Sequence, residues 1–401
     1  MTNISDAFAW LESQQSQMTA DLVELANQNS GSDNLTGLLQ VADWLEDWCE
    51  FRQSNFQRIH LPPRHVIRDD GDELAIETAP ALRWDFRPAH AAESKPVLLA
   101  IHYDTVFPVG SRFQTCELLT PDKLCGPGVA DAKGGIVTMR FALRALQQFE
   151  LGTHRGWTVL LNPDEEVGSP SSAGLLAEIA KEFAFGLLFE PALPTGELVA
   201  ERKGSGNFDI VVHGKSAHAG RHFEDGRNAV AALCTILTQL DALNNHTAGL
   251  TVNVGAVCGG GPVNVVPELA VGRLNVRLKD TTSGAWFMEH LDAIVEHTNA
   301  RPGFRVQRFG GISSPPKTMC EATQQLMRDV ENATLASGGQ PVRWKSTGGV
   351  CDGNKLAAAG LPNIDTLGPV GDHLHSTEEW VRPSSLVSSA KRIVQLLASV
   401  Q

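Results

Sequence analysis

His102 closes an apolar run, Pro96-Val-Leu-Leu-Ala-Ile-His102-Tyr-Asp104, and an acid follows two places on. Side chains two apart on a strand share a face. Asp104 can therefore take the second ring N–H of His102, the arrangement that orients a metal-binding imidazole. A histidine that merely caps a strand, with Asp104 in a turn, is the plainer alternative for this stretch alone. Two further apolar runs end in acids. Trp157-Thr-Val-Leu-Leu leads to Asp164-Glu165-Glu166, and Phe185-Gly-Leu-Leu-Phe leads to Glu190. Between them lies Gly126-Pro-Gly-Val-Ala-Asp131-Ala-Lys-Gly-Gly135, whose four glycines and proline mark a tightly constrained backbone. A lone acid at a strand end is usually solvated. A histidine and two acid clusters at one sheet edge would instead suit a cation and the water it activates.

For these groups to meet, the three runs must be parallel neighbours. Apolar runs of this length bounded by polar residues fit buried strands of a parallel sheet. Ligands gather beyond the carboxyl ends of such strands. Residues 5–52 have helical spacing, broken at Ser30-Gly-Ser-Asp33. Leu74–Thr78 and Leu82–Phe86 are expected to be strands joined by a turn, followed by a loop over 87–95. Helices are expected from Gly135 to about 148 and over 172–183. From about residue 203 the pattern changes to strand 207–212, helix 227–243, strands 250–254 and 268–279, helix 285–297 and strand 304–308. That order, β-α-β-β-α-β, is the ferredoxin-like split motif, and it is expected to form an inserted domain. After Ser313-Ser-Pro-Pro the helix–strand alternation returns, with helix 318–336, strand 342–345, helix 352–359, strand 363–367 and a closing helix 384–400. The expectation is an α/β chain with a catalytic domain in two parts, 1–202 and 313–401, around an insert at 203–312.

The bulk composition narrows the partners. The chain has 401 residues, 42% hydrophobic and 20% charged, which fits two domains or one large domain with an insertion. A formal net charge of −13 disfavours nucleic acid and anionic membrane. No stretch of about 18 apolar residues suggests a membrane span. The first residues, Met-Thr-Asn-Ile-Ser-Asp, lack the basic-then-apolar order of a signal peptide. The seven cysteines are scattered and form no C-x-x-C pair, so neither a structural zinc site nor a disulfide framework is expected. Reduced thiols in a cytoplasm are the simple account.

His102-x-Asp104, Gly128-x-x-Asp131-x-Lys-Gly-Gly, Asp164-Glu165-Glu166-x-Gly168, Glu190 and His375-Ser-Thr, in that order, resemble the M20 metallopeptidase family. Gly214-Lys-Ser-Ala-His218-Ala-Gly220 and Thr347-Gly-Gly are similar to its glutamate carboxypeptidase branch. The resemblance spans nearly the whole chain. It implies a zinc-exopeptidase-like catalytic domain, mainly of parallel sheet, with the insert as lid and dimerisation domain. It implies two Zn²⁺ per subunit, with Co²⁺ or Mn²⁺ as possible substitutes, since ligand type alone rarely sets selectivity among such metals. His102 and Glu190 would bind one, His375 and Glu166 the other, and Asp131 would bridge them. Relatives carry a cis peptide at the place of Asp131-Ala132.

The resemblance makes Glu165 the general base, which takes a proton from the attacking water and passes it to the leaving nitrogen. Adjacent residues on an extended backbone point apart, so Glu166 would bind metal while Glu165 faces substrate. Asp104 would fix the His102 tautomer. His218 would stabilise the oxyanion of the tetrahedral intermediate, reaching across a dimer into the partner's site. Asn264 and Arg277 would hold the substrate's carboxylate, with backbone N–H groups near Gly348 and Gly349 completing the cradle. His373 stands as the spare beside His375. The implied reaction frees an amino acid from an N-acyl amino acid or from the carboxyl terminus of a peptide-like substrate. A small-acyl deacetylase or desuccinylase competes with a carboxypeptidase, and a non-catalytic dimer on the same fold is the alternative from another class.

Overall fold

The computed structural model describes residues 4–88, 94–246 and 249–399; residues 89–93, inside the loop expected over 87–95, lie outside it, as does the last position of the expected closing helix. Val97–His102, Trp157–Asn162 and Phe185–Leu188 are strands buried at every position. They pair in parallel, Val97 opposite Trp157 through His102 opposite Asn162 on one side, and Val97 opposite Phe185 through Ala100 opposite Leu188 on the other. This register brings His102 beside the chain that runs on to Asp164. Asn363–Ile364 extends the parallel side. Ala81–Phe86 and then Ser54–Ile59 extend the other side antiparallel, so the six-stranded sheet is mixed.

Both faces of this sheet are covered, which explains why its strands lack a polar alternation. Leu99, Ile101, Val159 and Leu187 pack under helices Ile4–Ser13, Gln15–Ala26, Leu35–Trp48, Lys133–Gln148 and Pro383–Ser399. Leu98, Ala100, Leu160 and Leu188 pack under Ala173–Ile179 and Asp352–Ala358. Lys133–Gln148 buries Ile136, Met139, Leu143 and Leu146, the helical spacing that its sequence shows.

The expected hairpin of residues 74–78 and 82–86 does not form. Glu73–Ile76 pairs with Arg64–Ile67, whereas Ala81–Phe86 joins the large sheet. Pro80 separates the two and donates no ladder hydrogen bond. Leu82 and Trp84 gain full burial in the large sheet, while Glu73–Ile76 stays largely exposed. Ser54–Ile59, an edge strand with a mostly exposed pattern, carries too little apolar signal to be anticipated. The strand expected at 342–345 lies at Trp344–Thr347, parallel to Leu198–Arg202.

Between Gly204 and Ser314 the elements follow the expected β-α-β-β-α-β order. Gly204–His213, Thr251–Gly259, Leu269–Leu278 and Arg305–Ser314 form an antiparallel sheet with Leu269–Leu278 and Gly204–His213 at its centre. Helices Ala229–Ala242 and Thr281–Asn299 close one face over a separate core that includes Phe208, Ile210, Leu233, Phe287 and Leu291. Asn228 caps the first helix by accepting from Ala231 N–H, and Asp280 with Ser283 forms a capping box on the second. On the other face, Val211 and Val271 pack against Ile67 of the 64–76 hairpin.

Candidate metal centre

His102 is buried at the carboxyl end of its strand. Its Nδ1 lies 3.0 Å from the Asp104 carbonyl oxygen and 3.2 Å from Asp104 Oδ1. Its Nε2 faces Asp131 Oδ1 at 3.2 Å and Glu190 Oε2 at 3.7 Å. Asp131 turns its other oxygen to His375 Nε2, also at 3.2 Å, and His375 Nε2 lies 3.0 Å from Glu166 Oε2. Two clusters of nitrogen and carboxylate oxygen thus share Asp131: His102 with Glu190, and His375 with Glu166. His373 joins neither and pairs at 3.4 Å with Glu378.

Three buried acids shape the backbone around these clusters. Asp104, fully buried, accepts from Glu165 N–H and Glu166 N–H, each at 3.1 Å, and from the Ser32 hydroxyl at 2.7 Å. The side chain expected to orient one imidazole therefore also holds the turn that carries both glutamates. That turn, Glu165–Val167, is a 3-10 turn rather than the extended backbone expected from adjacency. Asp104 below and Asp164, which accepts from Ser171 and Ser172 N–H, impose the curvature. Glu379 accepts from the N–H groups of Gly128, Ala130 and Asp131. It fixes the loop that presents Asp131, whose peptide bond with Ala132 is cis. Lys133 Nζ donates to the carbonyls of Leu25 and Gln28 and ties the same loop to an N-terminal helix. Gly135 lets the following helix approach the Glu190 strand end, because a Cβ there would stand 2.0 Å from the Phe189 carbonyl oxygen.

Nothing in the sequence flags Ser32 or Glu379, and Lys133, though part of the Asp131 motif, shows no sign of its tie to the N-terminal helix. Their partners lie far along the chain, and each is of a type found mostly at surfaces.

The electrostatics are those of crowded acids. Burial, with Asp131 adding repulsion, pushes Glu166 up to about 7. Burial likewise raises Glu165 well above the usual carboxylate range, and raises Glu190. Burial also disfavours charge on Asp131, but the two imidazoles outweigh it and hold this carboxyl low. Asp131 and Glu166 push His375 up to about 11. Burial opposes the charged form of His102, and Glu190, Asp104 and Asp131 overcome it, so its pKa rises well above the ordinary value. Glu166 Oε1 is buried and has no hydrogen-bond partner among the described residues. Imidazole and carboxylate donors with an orphaned oxygen and excess negative charge fit divalent zinc, cobalt or manganese.

The other expected site residues lie in two groups. His218 is exposed on a short ribbon, Ala217–His218 paired with Val265–Val266, and its Nδ1 accepts from Gly220 N–H at 3.1 Å. Asn264 adjoins it, its carbonyl accepting from Ala219 N–H. Among the described residues His218 makes no hydrogen bond or ion pair with the two clusters. Arg277 reaches the Gly348 carbonyl at 3.4 Å and Asn275 Oδ1 at 3.0 Å. The glycine loop differs from the expected cradle of donors. Gly349 N–H is taken by Thr347 Oγ1, and both glycine carbonyls accept from arginines, Gly349 from Arg202. A cavity of about 480 Å³ lies at the opposite sheet edge, lined by Val97, Trp157 and Phe185, away from these groups.

A mixed α/β sheet carries, beyond its parallel strands, paired nitrogen–oxygen clusters that could hold metal, an arrangement suited to a metal-dependent hydrolase. The sequence profile of Peptidase family M20/M25/M40 matches residues 98–399, and the chain belongs to that family. It is 28% identical over 308 residues to carboxypeptidase G2 of Pseudomonas sp. (strain RS-16), covering 75% of this chain and 74% of that protein. It is 26% identical over 316 residues to a succinyl-diaminopimelate desuccinylase of Gluconobacter oxydans, covering 74% and 80%. An M20 family metallo-carboxypeptidase from Sulfolobus solfataricus has the same fold, with a TM-score of 0.73 at 16% identity over 95% of this chain and 98% of that one.

Two outcomes follow. Asp104→Asn should weaken zinc affinity about 10–100-fold, measured by competition with a chromogenic chelator; unchanged affinity would remove Asp104 from the account. Metal loading should also release protons at neutral pH, because His375 and Glu166 hold them in the metal-free site. Affinity should therefore rise with pH through neutrality. Calorimetry in buffers of different ionisation enthalpy counts the protons, and zero release would contradict the reading.

Proposed function

We propose that this hydrolase uses two metal ions to release an amino acid from an N-acyl amino acid or from the carboxyl terminus of a peptide-like substrate. The observation that carries this reading is Asp131, one carboxylate facing both imidazole–carboxylate clusters. His102 and Glu190 would hold one ion, His375 and Glu166 the other, with Asp131 shared. Zinc suits the donors, and cobalt or manganese could replace it. When bound, such a pair polarises the scissile carbonyl and acidifies an attacking water.

The remaining steps belong to the chain. Glu165 stands next to Glu166 on the turn that Asp104 grips, and burial raises its proton affinity; beside two bound cations it would stand ionised, able to accept a proton. It takes the proton of the attacking water and delivers it to the leaving nitrogen. Arg277 would meet the substrate's carboxylate beside Gly348 and Gly349, and Asn264, which adjoins His218, would reach that carboxylate from the partner subunit. Arg277 suits the task because its planar fork matches a carboxylate. His218 is exposed and, among the described residues, bonded to neither cluster, which favours action in a partner's site to stabilise the oxyanion. The insert at 203–312 would then serve as lid and dimerisation domain between the two catalytic parts, 1–202 and 313–401. The seven cysteines stand free, consistent with a cytoplasmic protein. Both named relatives act in this chemical class, one a carboxypeptidase and one a desuccinylase.

Glu165→Gln should keep its metal content and lose turnover by about 10²–10⁴-fold on the best substrate among N-acetyl, N-succinyl, N-formyl and glutamyl-amide amino acids. Near-wild-type turnover with metal content confirmed would sink the assignment. Absence of turnover across that panel by the metal-loaded wild type would favour a non-catalytic binding protein.

A further inference from the structure

The chain enters the insert after Arg202 and leaves it before Lys317. These two crossovers are bonded to each other, Arg202 N–H to the Lys317 carbonyl at 3.1 Å and Lys317 N–H to the Arg202 carbonyl at 3.0 Å. Both side chains converge on Asp365, which is fully buried next to the strand Asn363–Ile364. Arg202 grips it bidentately, Nε and Nη2 each at 2.9 Å, and Lys317 Nζ lies at 2.6 Å. Asn354, also fully buried, adds a second tie. Its Nδ2 donates to the carbonyls of Lys203 and Pro315, one on each crossover, and its Oδ1 accepts from Cys351 N–H. Arg202 has one more bond to give. Its Nη1 donates to the Gly349 carbonyl at 3.2 Å, and Lys203 N–H donates to the Thr347 carbonyl at 3.0 Å.

An arginine whose side chain is 9% exposed, and which satisfies a carboxylate with one edge and a loop carbonyl with the other, is a rigid bracket. The planar guanidinium fixes the angle between its two partners, which an ammonium on a flexible stem does not. We propose that Arg202 is a positioning residue of this hydrolase: locked to Asp365, it sets where the Gly348–Gly349 loop stands relative to the Glu190 half of the metal centre. Asp365 supplies the fixed end, because its strand Asn363–Ile364 pairs directly with the Phe185–Leu188 strand that leads to Glu190. Arg277, reaching Gly348 from the insert, then meets the loop at a defined place. The effect on substrate binding rests on the reading above in which Arg277 and this loop meet the substrate's carboxylate; the effect on the loop does not.

The test uses the full-length, metal-loaded enzyme. Arg202→Lys keeps a cation for Asp365 but cannot serve Asp365 and Gly349 together. Asp365→Asn keeps the volume and releases the guanidinium. In both, hydrogen exchange of the peptide covering 346–352 should quicken at least about tenfold, the ratio expected for losing one charge-assisted hydrogen bond. Metal content and exchange of the helix Lys133–Gln148 should match wild type. With the N-acetyl amino acid that wild type turns over fastest, KM should rise about tenfold while kcat holds within about threefold. Unchanged exchange at 346–352 in both variants would overturn the proposal, and so would acceleration spread equally over the chain. Arg277→Gln separates the two readings. If it leaves KM unchanged, the carboxylate reading falls, while the exchange measurement still decides the role of Arg202.

Discussion

The structure depends on holding several carboxylates together where water is largely excluded. Asp104, Asp131 and Glu190 are buried, and the Glu166 side chain is 4% exposed. Like charges at this separation and burial cannot all ionise without compensation. The two imidazoles supply part of it, and a pair of divalent cations would supply the rest. Burial first, and repulsion from neighbouring acids second, raise the proton affinities of Glu165, Glu166 and Glu190. A protein that only needed a stable core would not concentrate acids in this way, because apolar residues of similar volume cost less to bury.

The scaffold solves the problem with backbone donors. Asp104 grips the Glu165–Glu166 turn, Asp164 the segment after it, and Glu379 the loop before Asp131. Each of these acids receives N–H groups that a tight turn leaves unpaired, so the charge and the turn stabilise one another. The consequence is a site whose ligand-bearing turns and loops are held by backbone hydrogen bonds beside the strand ends. Such placement suits a centre in which small displacements of a ligand would cost activity.

Much of this was legible in the sequence, for a physical reason. Strands buried on both faces must be apolar throughout, so the runs ending at His102, Asn162 and Leu188 announce both the sheet and the edge where polar residues collect. The alternation of the insert announces itself because its helices carry apolar residues at helical spacing. Pairings set by competition were not legible. Whether residues 82–86 pair with 74–78 or with Trp157–Asn162 depends on which face offers burial, and no local pattern records that. The 3-10 turn at Glu165 was hidden because it is imposed by Asp104, and Glu379 because it differs from exposed Glu378 only in what surrounds it. The arginine contacts to the Gly348–Gly349 carbonyls were likewise invisible, since nothing in Thr347-Gly-Gly says which backbone groups turn toward solvent.

The central claim is that Asp131 is shared between two metal positions. The most direct measurement is anomalous scattering at the zinc edge from crystals of the zinc-loaded protein. The account predicts two peaks per chain on either side of Asp131, one against His102 and Glu190 and the other against His375 and Glu166. A single peak, or peaks held by other side chains, would contradict it.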